Sequence, residues 1–132
     1  MSHHTVRDLE PKIMWEHFDT LTQIPRPSGH EDKARAHVVA WAKKKGWKSV
    51  VDAAGNVVVY VPATAGREHA PAVVLQGHLD IVGEKNSDVK HDFVKDPIKT
   101  VVDGDFVKAV GTTLGADNGI GIAAALAVAD DA

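Results

Sequence analysis

Cysteine is absent from the 132 residues, which excludes disulfides, thiolate metal sites and a cysteine nucleophile. No apolar run is long enough to span a bilayer, since the longest, near the C-terminus, is short and Ala-rich. Met1-Ser2-His3-His4 lacks the basic region followed by an apolar stretch that marks a secretory signal. A soluble, cytoplasmic protein with no membrane partner is therefore expected. Positive charge is not in excess either. A formal net charge of −3 and a pI near 6.2 argue against nucleic acid or an anionic membrane as the main partner. The basic residues are dispersed apart from Lys43-Lys44-Lys45, which suits a helix end. No internal repeat, low-complexity tract or linker is visible.

What is present fits one globular unit, 44% hydrophobic and 25% charged. At this length a chain buries roughly two-thirds of its unfolded surface, enough for a core. Periodicity predicts a first helix over about residues 7 to 22, with Met14, Phe18 and Leu21 on one face. Pro25 and Pro27 break it. A second helix is expected to restart at Ser28, with Glu31 completing a capping box. Its apolar face is Ala34, Val38, Trp41 and Ala42, and Gly46 is its stop. Residues 48–52 and 56–61 read as a hairpin around Ala53-Ala54-Gly55, and 98–110 as a second, turning at Asp103-Gly104. The continuous apolar run 72–76 reads as a strand buried on both faces. A last helix is expected from Asp117 or Asn118, apolar nearly all round and so buried on most sides. This order predicts an α/β layered sandwich with a mixed sheet. The abrupt end inside an apolar helix suggests a piece of a longer enzyme.

Two constellations could carry chemistry. Gly77-His78-Leu79-Asp80 follows the expected buried strand, where open α/β folds hold their ligand sites. Period-2 alternation puts His78 and Asp80 on the same side. The carboxylate can then take the proton of one ring nitrogen and leave the other free for a metal. A capped strand end with an exposed His–Asp pair is the alternative. The second constellation, residues 111–121, holds four glycines in eleven residues, so its backbone must turn tightly or approach something closely. Its spacing matches neither phosphate-binding fingerprint. Asp117 suits either a helix N-cap or an oxygen ligand to a cation.

Together with Ile24-Pro25-Arg26-Pro27-Ser28-Gly29-His30-Glu31, residues 75–80, 91–98 and 111–126, these motifs resemble the M20 family of metallopeptidases. Within it, the likeness is to the bacterial aminoacyl-histidine (Xaa-His) dipeptidases. The resemblance implies that residues 1–132 are the N-terminal portion of a zinc-peptidase-like catalytic domain, without the lid and dimerisation domain. It implies His78 as a ligand to one zinc, Asp117 as the bridge between two zincs, and Asp80 as the catalytic-site carboxylate that clamps His78. The general-base Glu and the remaining ligands would lie beyond residue 132. Manganese or cobalt could substitute for zinc. The implied activity is hydrolysis of small peptides such as β-alanyl-histidine, with a homodimer expected of the full-length protein. A tripeptidase, an N-acyl amino acid hydrolase of the same family, or a non-catalytic piece lacking the rest of the site are the alternatives.

The other histidines are not assigned to metal. His3 and His4 sit at a terminus where a solvated or tag-like role is expected. His17 and His37 read as surface or boundary helix residues, His30 follows the expected cap, and His91 opens a loop. Trp15, Trp41 and Trp47 read as packing residues.

Overall fold

The computed structural model describes residues 4–131; His3 lies outside them. A short 3-10 turn, Val6–Asp8, leads through Pro11 into helix α1, Lys12–Gln23. Helix α2 is Asp32–Lys44, followed by a hairpin of β1, Lys48–Val51, and β2, Val57–Tyr60. A second hairpin pairs β3, Thr100–Asp103, with β4, Phe106–Ala109, and helix α3 is Ala116–Asp130. The class is α/β. Among the described residues the sheets are two separate antiparallel pairs.

α1 begins about five residues later than its periodicity suggests. The residue before a proline is pushed out of helical geometry, so Pro11 delays the start; Pro11 itself is extended, at ψ 128°. The end of α2 follows expectation. Gly46 takes a φ of 75°, its amide donates to the Lys43 carbonyl, and the Trp47 amide donates to that of Ala42. This double closure is the glycine-dependent helix stop. In the first hairpin the Asp52 carboxylate accepts from the backbone amides of Ala54 and Asn56, which fixes the turn. In the second, Gly104 supplies the positive φ that a two-residue loop needs at its first position.

α1 packs on α3. Phe18, Leu21, Val6 and Ala123 are the buried centre, with Met14, Trp15, Leu114 and Ile120 around them. Each fully buried Phe or Leu contributes about 1.5–3 kcal/mol by leaving water. α2 covers the first hairpin with Ala34, Val38 and Ala42.

Three further expectations are corrected. The run 72–76 forms no strand: Val73 and Val74 are 80% and 86% exposed. Apolar composition favours burial, but a strand needs at least one hydrogen-bonded partner, and among the described residues the strands of both hairpins pair only with each other. α3 buries only Gly119, Ala123 and Leu126, while Val128 faces solvent, because one face meets α1 and among the described residues no second layer covers the other. The capping box at Ser28 does not form. α2 starts after Glu31 without a side-chain cap; the Glu31 carboxylate accepts from the Gly29 amide, and the Ser28 hydroxyl is committed elsewhere.

Candidate metal centre

Residues 26–28 and 79–81 run side by side. The Ile81 amide donates to the Arg26 carbonyl and the Ser28 amide to the Ile81 carbonyl, a parallel bridge that closes around Pro27 and Ile81. This register brings the Ser28 hydroxyl to Asp80, where it donates to Oδ2 at 2.5 Å. The other oxygen, Oδ1, lies 3.1 Å from His78 Nδ1, which also sits 3.0 Å from the Asp80 carbonyl. The far ring nitrogen, His78 Nε2, is 3.1 Å from Asp117 Oδ1. The sequence-predicted residues His78, Asp80 and Asp117 thus stand in one chain of contacts, extended beyond Asp80 by Ser28.

Asp117 does not cap α3. Gly115 occupies that position at φ 76°, no side-chain cap bond forms, and Asp117 and Asn118 have non-helical backbone angles in the first turn. The Asp117–Asn118 peptide is cis. Freed from capping, the Asp117 side chain is 95% exposed. The glycines around it answer to close approaches. A Cβ on Gly77 would lie 2.6 Å from the Asn118 amide nitrogen, and one on Gly121 would lie 2.2 Å from its oxygen. Glycines from both motifs therefore make the slot that seats Asn118. Gly119 stands over Arg26 in the same way, at 2.7 Å from Nη2.

The electrostatics follow from these contacts. The carbonyl of Asp80, then the Asp117 carboxylate, raise the His78 pKa above its ordinary value, against a small cost of burial. The Ser28 hydroxyl holds the Asp80 carboxyl below the usual range; burial opposes it and the His78 charge assists. Arg26 is 2% exposed, and burial pulls its pKa down to about 10, with Asp80 opposing. It stays charged at neutral pH.

Imidazole nitrogen and carboxylate oxygen are both donors to a divalent metal such as zinc. The converging lone pairs of His78 and Asp117, on half-exposed and exposed side chains, fit such an ion with room for further ligands. Among the described residues no group of three histidine, aspartate or glutamate side chains could hold a metal. The donors present make half a coordination sphere.

Sequence reasoning missed Ser28 and Arg26. The signal was the string Arg26-Pro27-Ser28 itself, in which both polar residues flank a proline and neither is needed by the helix that follows. Of the histidines left unassigned, His17 Nε2 meets Asp130 Oδ2. His37 is half-buried, its pKa lowered by burial and by His17. His91 packs edge-on against Phe93 with its Nε2 buried and unpartnered. His4 and His30 are exposed.

No known family profile matches the chain. It is 53% identical over 123 residues to the cytosol non-specific dipeptidase of Escherichia coli (strain K12), a match covering 93% of this chain and 25% of that protein. The crystal structure of aminoacylhistidine dipeptidase from Vibrio alginolyticus superposes with a TM-score of 0.95 at 46% identity, over 98% of this chain and 26% of that one. The chain spans about a quarter of the length of each relative. By this identity and this agreement in fold, the chain is a homologue of that quarter of these dipeptidases.

Proposed function

We propose that the chain is the N-terminal portion of the catalytic domain of a metal-dependent dipeptidase, contributing His78 and Asp117 to a two-zinc centre. The observation that carries this reading is the convergence of His78 Nε2 and Asp117 Oδ1 at 3.1 Å, on side chains that are half-exposed and exposed. In the whole enzyme the two hairpins would belong to a layered α/β sandwich with a mixed sheet. The names of the two relatives support a small peptide substrate, Xaa-His dipeptides among them, and a cytoplasmic location. A homodimer of the full protein is part of the same proposal.

The chain's own residues would act as follows. Asp80 accepts the Nδ1 proton of His78, which fixes the ring and leaves Nε2 as the donor. Ser28 holds Asp80 from behind, so the carboxylate cannot rotate away. Asp117 offers one oxygen beside His78 and a second to a neighbouring position. Bound zinc would supply Lewis acidity for activating water and polarising the peptide carbonyl. Manganese or cobalt would serve the same donor set.

The number of donors favours a second statement about the isolated chain. Two ligands rarely hold zinc tightly, so residues 1–132 alone are expected to turn over no dipeptide. The test is a chimera in which this chain replaces the matching quarter of the Escherichia coli dipeptidase. Hydrolysis of β-alanyl-histidine is expected, with Asp117→Ala abolishing it. A folded chimera that binds zinc but hydrolyses no dipeptide contradicts the proposal.

A further inference from the structure

Arg26 is the largest fully buried side chain in the molecule, and no carboxylate lies within ion-pair distance of it among the described residues. Burying a guanidinium is costly unless its donors are met, and here three backbone carbonyls meet them. Nε donates to Leu21 at 3.3 Å, in the last turn of α1. Nη1 donates to Leu79 at 2.8 Å, the residue between His78 and Asp80. Nη2 donates to Gly115 at 3.3 Å, two residues before Asp117. The last turn of α1 carries partial negative charge, which suits a cation there.

These three carbonyls lie far apart in sequence, and two of them belong to the segments that carry the candidate donors. We infer that Arg26 is the positioning residue of this site: its planar fork ties the 77–80 segment to the 115–117 loop and so sets the separation of His78 and Asp117. Gly119 is the second half of the device. Any side chain there would displace Nη2, because the added Cβ would lie 2.7 Å from it. The claim concerns the geometry of the pair and holds whatever the pair binds.

A lysine keeps the charge but lacks the fork, so it cannot reach three divergent carbonyls. Arg26→Lys is therefore expected to loosen the site rather than preserve it. Gly119→Ala keeps Arg26 and its charge but pushes Nη2 aside, so it disturbs the fork without removing it. The readout is the nuclear Overhauser effect between the His78 ring and the Asp117 side chain in the full chain. Overhauser effects across the β1–β2 hairpin serve as the folded control. Both variants are expected to abolish the His78–Asp117 effect while the hairpin effects stay. An undiminished His78–Asp117 effect in a folded Arg26→Lys protein overturns the inference. Should Arg26→Lys fail to fold, Gly119→Ala decides by the same criterion. Disappearance of the effect there supports the positioning role, and its persistence overturns it.

Discussion

Among the described residues His17–Asp130 and His78–Asp117 are both long-range histidine–aspartate contacts, and they differ in how fully the carboxylate oxygens are used. At the far end of α3, Asp130 accepts from His17 on α1 through Oδ2. Its Oδ1 accepts from Trp41 at 3.1 Å and from Lys45 at 2.8 Å. Its side chain is 14% exposed, and every partner belongs to α1, α2 or the residue that ends α2. This is a staple between three helices. Asp117, by contrast, meets only His78 among the described residues and otherwise faces solvent. A carboxylate saturated by protein donors has no capacity left for a ligand. One held by a single imidazole keeps its remaining lone pairs for something else. Saturation, more than residue type, separates the staple from the candidate centre.

Substitutions can break the contrast from either side. Asp130→Ala should have the largest effect on stability, since it strips an acceptor from three donors in a nearly closed setting. A loss of about 1–3 kcal/mol is expected, read as a lower midpoint in urea unfolding. Acid should reproduce part of that loss. Burial would raise the Asp130 pKa, but the hydrogen bonds from Lys45, His17 and Trp41 outweigh it and hold the folded value below the ordinary carboxylate range. A depressed carboxylate stabilises the fold above its unfolded pKa, and that contribution fades as pH falls through the folded value. The stability gap between wild type and Asp130→Asn should thus be widest at neutral pH and narrow as the pH falls below the ordinary carboxylate range. A constant gap would contradict the staple.

Smaller effects are expected at the other pair. Ser28→Ala removes one donor from a carboxylate that is 32% exposed on its side chain, so stability should fall by no more than about 1 kcal/mol. Metal affinity in the chimera should drop about tenfold, as with other residues that orient a ligand from behind. Asp117→Ala should change stability by no more than about 0.5 kcal/mol, the range of surface substitutions, while removing metal binding. A large destabilisation would make Asp117 a second staple.

The sequence makes much of the fold legible where the signal is local. Both hairpins announce themselves through glycine and aspartate at their turns, and Gly46 marks the end of α2. Pro11 marks the start of α1 equally well, but the apolar periodicity runs through it and hides it. Ser28 misleads because a cap needs only a neighbour three residues on, whereas its true partner, Asp80, is 52 residues away. The convergence of His78 on Asp117 spans 39 residues and is legible only through the motifs that resemble a family. Arg26 carries no local signal of its partners, because nothing in its own segment says which carbonyls will converge on it. The apolar run 72–76 has the composition of a buried strand, yet composition cannot supply the strands that would pair with it.

The central claim, that His78 and Asp117 are donors held ready while His17 and Asp130 are spent on the fold, can be tested in one titration. Zinc is added to the chain at neutral pH while the ring nitrogen shifts of all the histidines are followed by long-range proton–nitrogen correlation. The account predicts a shift confined to His78 Nε2, weak in affinity, with Nδ1 still protonated, His17 unmoved, and the response lost in Asp117→Ala. A response at His17 equal to that at His78, or a His78 response that persists without Asp117, would contradict it.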